Sequence, residues 1–156
     1  MTPSLHTSGD LREPLVRVVE TAFFAVADVE PPTSVVDQPA TEWFRAGVRF
    51  SGPFSGVVSV AVPVALANEL TELSLGGEPM DDQSVLDLCG EFANQLAGSW
   101  LTGLDLKQRF TLDRPQVERH TSGGDGTPVM VNDQPAVLGL TLDAEADDEA
   151  GQRTGR

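Results

Sequence analysis

The chain has 156 residues, of which 40% are hydrophobic and 22% charged, the proportions of one globular domain able to bury a core. Acids outnumber bases 24 to 10 for a net charge of −14, so nucleic acid and an anionic membrane would both repel it. Cys89 is alone and allows no intramolecular disulfide, and the two histidines lie too far from it for zinc-ligand spacing. No apolar run approaches the roughly 18 residues of a spanning helix, and Met1 to Arg12 lacks the layout of a secretory signal. The expectation is a cytoplasmic protein with no membrane or nucleic-acid partner.

Residues 1–9 are polar and read as a flexible N-terminus. From Leu11 the residues Leu15, Val18, Val19, Ala22, Phe23 and Val26 recur at helical spacing, with Asp10 as the cap and Pro14 in or near the first turn. Pro31-Pro32 stops any helix there. Phe44, Ala46, Val48 and Phe50 alternate with Trp43, Arg45, Gly47 and Arg49, a strand pattern. Ser51-Gly52-Pro53 supplies turn chemistry, and Gly56 to Val62 is a second β-branched run, so the two predict an antiparallel hairpin. Pro63 opens a second helix that runs through Leu73 and is closed by Gly76-Gly77.

The longest helix candidate spans about Asp82 to Leu101, with Asp81 and Asp82 at its positive end. Alternation then returns at Leu104, Leu106, Gln108, Phe110 and Leu112, and Pro115 ends it. Residues 118–126 read as a polar, glycine-rich loop. Val129 to Val131 and Ala136 to Leu142 read as two strands about Asn132-Asp133-Gln134. Residues 143–156 are poor in apolar side chains and rich in acid, an expected disordered tail. Three helices and about five strands in runs predict a single α+β domain over 10–142, with a mostly antiparallel sheet.

On a wheel of about 100° per residue, Val85, Leu88, Cys89, Phe92, Leu96 and Trp100 form one stripe of the long helix, its core face. Asp87, Glu91, Asn94 and Gly98 fall opposite. Glu91 and Asn94 are three apart and so neighbours on that outer face. Gly90, Ala93 and Ala97 lie between the stripes, a low border over which another backbone could come close. Two glycines inside one helix cost about 1 kcal/mol each relative to alanine. Their placement around Glu91 and Asn94 suits either an approaching molecule or a tight helix crossing.

The stretch Asp87-Leu-Cys-Gly-Glu91-Phe-Ala-Asn94-Gln-Leu-Ala-Gly98 resembles the Gly-Glu-x-x-Asn-x-x-x-Gly helix of the CheX/CheC family of chemotaxis phosphatases. Val48-Arg-Phe-Ser-Gly52-Pro-Phe-Ser-Gly56 is similar to the family's hairpin, and Leu112-Asp-Arg-Pro115-Gln-Val117 to its strand and Pro-x-Val exit. The resemblance implies a CheX-like fold and hydrolysis of the phospho-aspartate on a response-regulator receiver domain. By the same resemblance Asn94 orients the attacking water, and Glu91 pairs with the receiver's active-site lysine. It also implies that the chain has no cofactor of its own, the Mg²⁺ belonging to the receiver. The family's two-site branch repeats Glu-x-x-Asn in its first helix; here Glu13 is followed by Val16 and Glu20 by Phe23, which points to the single-site branch, whose members form homodimers through their sheets.

The alternative is a non-catalytic interaction module on the same scaffold, either flagellar-switch-like or binding a phosphorylated receiver without turnover. The remaining chemistry-bearing residues read as structural. Cys89 sits on the core stripe, Ser99 has no histidine nearby, and His6 and His120 read as solvated. Gly123-Gly124-Asp125-Gly126 lacks the lysine and Ser/Thr of a phosphate loop, and the acids of 143–149 lack the EF-hand glycine.

Overall fold

A computed structural model describes residues 7–23, 25–28, 42–104 and 109–143. Most of the expected N-terminal arm, the Pro31-Pro32 stop and residues 144–156 of the acidic tail lie outside them. Three helices, α1 (Arg12–Ala22), α2 (Val64–Leu75) and α3 (Asp82–Gly103), pack with seven strands. The strands are β1 (Ala27–Asp28), β2 (Trp43–Ser51), β3 (Gly56–Pro63), β4 (Thr111–Leu112), β5 (Gln116–His120), β6 (Thr127–Val131) and β7 (Gln134–Leu142). Every pairing is antiparallel in the order β1-β6-β7-β3-β2, with β4 and β5 sharing the far side of β2. This is the α+β domain expected, with two more strands, β1 of two residues and β5 of five.

The core forms between the helices and one face of the sheet. Register places Phe44 opposite Val62, Ala46 opposite Val60 and Val48 opposite Val58, so one face of the hairpin is continuous aliphatic and aromatic surface. It packs against Leu15 and Val19 of α1, Leu66 and Leu70 of α2, and Phe92 and Leu96 of α3, all fully buried. Among the described residues no helix is long and apolar enough to cross a membrane.

The helix boundaries follow local chemistry. Asp81 accepts from the Ser84 backbone N–H at 2.8 Å, and the Ser84 hydroxyl reaches back to the Asp81 backbone, closing a capping box at the start of α3. These Ser84 hydrogen bonds hold the Asp81 carboxyl below its usual range. Gly76, at φ +61°, ends α2 in the left-handed conformation that glycine adopts without a Cβ penalty. Pro63 is the cap preceding α2 and still the last residue of β3, not the first helical residue as expected.

Other expectations are corrected. Asp10 closes a 3-10 turn over Ser8–Leu11 by accepting from the Thr7 backbone N–H, and α1 starts only at Arg12. The helix ends at Ala22, so Val26 loses the helical phase and is 67% exposed, while Ala25 turns inward. The strand expected over 104–112 shrinks to Thr111–Leu112; Leu104 caps α3, and 105–108 lie outside the described residues. The loop expected at 118–126 gives up its first residues to β5, which pairs with β2 beyond Pro115.

The rest of that segment lies across the outer face of the sheet. Gly123 sits against Trp43 and Val137, where a Cβ would come within 2.9 Å of both, and Gly126 passes so close to the Leu138 carbonyl that no side chain fits. Arg45 fastens the segment by donating to the Ser122 carbonyl at 3.2 Å and hydroxyl at 3.0 Å. The glycines serve close packing over Trp43, which is 8% exposed although it points away from the core. At the chain's other end Asp143, expected as the first tail residue, is held by Arg49 and Ser55, each at 2.7 Å.

Candidate functional site

The exposed ridge of α3 is positioned from beneath. Val85, Leu88, Cys89, Phe92, Leu96 and Trp100 are buried as the wheel requires, and Phe92 stacks obliquely on Phe23 of α1 at 5.1 Å between ring centroids. Ala93 and Ala97 are also fully buried, so the core face is broader than the expected stripe and the low border is narrower. With that face locked, helical geometry leaves Glu91, Asn94, Gln95 and Gly98 turned outward. Glu91 is exposed, and Asn94 is half-buried at the base of the ridge.

Glu91 and Asn94 line one groove of about 730 Å³ together with Gln95, Gly98, Ser99 and Arg17. Glu91 stands on the crest, for it also borders a second groove on the β5 side, with Asp87, Gly90, Arg114 and Pro115. A ridge flanked by two depressions is a shape that a second macromolecule can straddle.

The side chains on this ridge differ in freedom. Gln95 Nε2 donates to Glu91 Oε2 at 2.8 Å, an (i, i+4) clip that fixes the carboxylate and leaves its other oxygen for an incoming donor. The Asn94 carboxamide has no hydrogen-bond partner among the described residues. It therefore presents an N–H donor and a carbonyl acceptor to whatever fills the groove.

The two glycines have different reasons. Gly98 faces open space, with nothing within 4 Å of the place a Cβ would occupy. Gly90 is buried beneath Pro115 and Val117, at 3.4 Å and 3.7 Å from that place, so its neighbour is the β4–β5 connection, not another helix. Only Gly98 leaves room beside Asn94.

Sequence reasoning missed two groove residues. Arg17 comes from α1, and its Nη2 donates to Ser99 Oγ on α3 at 3.1 Å across 82 positions of chain. No local motif signals such a contact. Gln95 was inside the motif, and its spacing of four from Glu91 was the available signal.

The remaining candidates fall away on geometry. Cys89 is 1% exposed, and burial pushes its thiol up to about 12, so it stays protonated and inert. His120 lies on β5 beside Glu118 at 3.1 Å, away from Ser99. His6 lies outside the described residues. Among the described residues no group of three or more His, Cys, Asp or Glu side chains is placed to hold a metal ion.

Comparison with known proteins agrees with this picture. The family described as "Chemotaxis phosphatase CheX" matches residues 44–127, which include the hairpin, α3 and β5. The CheX of Desulfovibrio desulfuricans is a similar structure, with a TM-score of 0.66 at 17% identity over 87% of this chain and 98% of that one. The CheX of Vibrio vulnificus gives 0.63 at 18% identity over 86% and 94%. A chain of the CheX–CheY–BeF3–Mg²⁺ complex from Borrelia burgdorferi gives 0.56 at 14% identity over 85% and 95%. No curated protein matches the chain in sequence. The match spans more than half of the residues and contains the ridge that carries Glu91 and Asn94, so the chain belongs to the CheX family of chemotaxis phosphatases.

Proposed function

We propose that the chain hydrolyses the phospho-aspartate of a response-regulator receiver domain. The observation that carries this reading is the joint projection of Glu91 and Asn94 into one open groove, with Gly98 clearing the floor beside the amide. The similar CheX of Borrelia burgdorferi, found in a complex with CheY, supports a receiver as the partner.

The chemistry needs little more than placement. Water attacks phosphorus while the bond from phosphorus to the aspartyl oxygen breaks, releasing a carboxylate and inorganic phosphate. Such transfers are helped chiefly by positioning and charge stabilisation. The Asn94 carboxamide accepts a hydrogen bond from the water through its carbonyl and donates from its NH₂ group, and it does not titrate or become phosphorylated. Holding the nucleophile in line recovers several kcal/mol of the barrier, within the roughly 7–11 kcal/mol that orientation can supply. The Glu91 oxygen not engaged by Gln95 takes the receiver's lysine in a charge-assisted contact that docks the ridge. The Mg²⁺ belongs to the receiver. The family resemblance extends the reading to a homodimer and a cytoplasmic setting, and light scattering on the purified chain tests the first.

The deciding experiment follows loss of radiolabelled phosphate from candidate receivers. Wild type is expected to accelerate it, Asn94→Ala to lose most of the turnover while keeping binding, and Glu91→Ala to weaken both. Phosphate loss that is equal with and without the protein, across several receivers it binds, would replace the enzyme with the interaction module.

A further inference from the structure

The groove beside Asn94 contains one cation among the described residues that line it, and the chemistry just described leaves it unused. Arg17 is exposed, and one of its five N–H donors is taken by Ser99. No carboxylate among the described residues forms an ion pair with it, although Glu13 and Glu20 stand on the same helix at pairing distances in sequence. Among the described arginines only Arg49 and Arg119 pair with a carboxylate, and of the unpaired ones Arg17 is the one that lines this groove.

Its position suggests an answer. Ser99 lies five residues beyond Asn94, about 7.5 Å along the helix axis. Between them is Gly98, which interposes no side chain. The guanidinium and the Asn94 carboxamide therefore line the same groove, and Gly98 puts no side chain into it. The Ser99 hydroxyl keeps the long side chain in that place, which lowers the ordering entropy that a free arginine would lose on contact.

We propose that Arg17 is a phosphoryl-recognition residue of this groove, contacting an oxygen of the acyl phosphate that Asn94 serves. This rests on the phosphatase reading. A planar guanidinium fork suits phosphate oxygens better than a lysine does. A strongly acidic chain repels an anionic partner at long range, so attraction has to come from a cation at the contact itself. The competing role is structural: the guanidinium also lies 4.0 Å from the Cβ position of Gly103, at the negative end of α3, whose last turn has no basic residue. That role predicts a loss of stability and no change in recognition.

The test measures receiver affinity and phosphate release for the full chain, wild type against Arg17→Gln and Arg17→Lys. Arg119→Gln removes the same charge at the far edge of the sheet and is the control. Affinity is measured for the receiver alone and for the receiver loaded with beryllium fluoride, a stable mimic of the acyl phosphate. Arg17→Gln is expected to weaken binding of the loaded receiver about ten- to hundredfold, as loss of a charged hydrogen bond would. Binding of the bare receiver should move less than about twofold, Arg17→Lys should recover part of the loss, and Arg119→Gln should do nothing. Equal weakening of both receiver forms, or an unfolding midpoint that drops with recognition intact, overturns the proposal. A wild type that releases phosphate with Arg17→Gln as its equal removes Arg17 alone. A wild type that neither accelerates release nor prefers the loaded receiver removes the phosphatase reading and this inference with it.

Discussion

Phe92 and Asn94 stand two residues apart on α3 and answer to different physics. Phe92 is fully buried against Phe23, and its contribution is volume and fit. Asn94 looks into a groove and has no hydrogen-bond partner among the described residues, so its carboxamide is offered outward. The glycines repeat the contrast: Gly90 fits under Pro115, and Gly98 has no neighbour to fit. On the proposed function, one helix separates stability from catalysis by angle alone, and each face should be open to damage without the other.

The largest expected effect is on the inner face. Phe92→Ala should cost about 3–5 kcal/mol of stability, read by urea unfolding, while the folded fraction keeps its turnover per molecule. On the outer face Asn94→Ala should lower phosphate release about a hundredfold, some 2.7 kcal/mol of barrier, with an unfolding midpoint like that of wild type. A midpoint that fell as far as for Phe92→Ala would erase the distinction.

Glycine substitution sharpens it further. Gly98→Ala adds a methyl in open space and should raise stability by up to about 1 kcal/mol through helix propensity, yet lower receiver affinity, because the methyl stands where the partner must approach. Gly90→Ala should leave affinity unchanged, since its methyl would meet Pro115 inside the protein. The opposite pattern would place the docking surface on the β5 side.

The smallest effect lies away from α3. Hydrogen bonds from Arg49 and Ser55 hold the Asp143 carboxyl below its usual range. A depressed carboxylate stabilises the fold above its unfolded pKa, and that contribution is lost as pH falls through the folded value. Both partners of the ion pair are exposed, at 50% and 36%, so solvent limits it to a few tenths of a kcal/mol. Asp143→Asn should therefore trail wild type slightly in urea at pH 7 and draw level as pH falls through the folded value, on the acid side of the ordinary carboxylate value.

What could be read from the sequence was whatever has a strong period. The β2–β3 hairpin alternates over eight positions and α3 keeps its apolar stripe for about four turns, so both were legible, as was the outward placement of Glu91 and Asn94. Phosphatase chemistry came from the motif's resemblance, because a glutamate and an asparagine three apart occur on many solvated helices. β5 was illegible for a physical reason: Gln116-Val-Glu-Arg-His is an edge strand whose single apolar side chain, Val117, packs against the core, and Pro115 imitates a terminus. Leu104 and Phe110 misled in the opposite direction, since Leu104 belongs to the end of α3. The Arg17–Ser99 contact joins residues 82 apart and exists only once α1 has packed on α3.

The tight turn between β6 and β7 has a consequence beyond reversing the chain. Asn132 and Asp133 both take positive φ, 49° and 66°, the geometry of a two-residue hairpin loop. From that strained position the Asn132 side chain accepts from the Val26 backbone N–H at 2.9 Å and donates to Glu69 of α2 at 2.8 Å. Glycine would accept the dihedral angles and keep the backbone bond to the Val26 carbonyl, but would cut both side-chain ties and leave Glu69 to Gln134. Amide exchange at Val26 would expose the loosened seam well before the domain as a whole came apart.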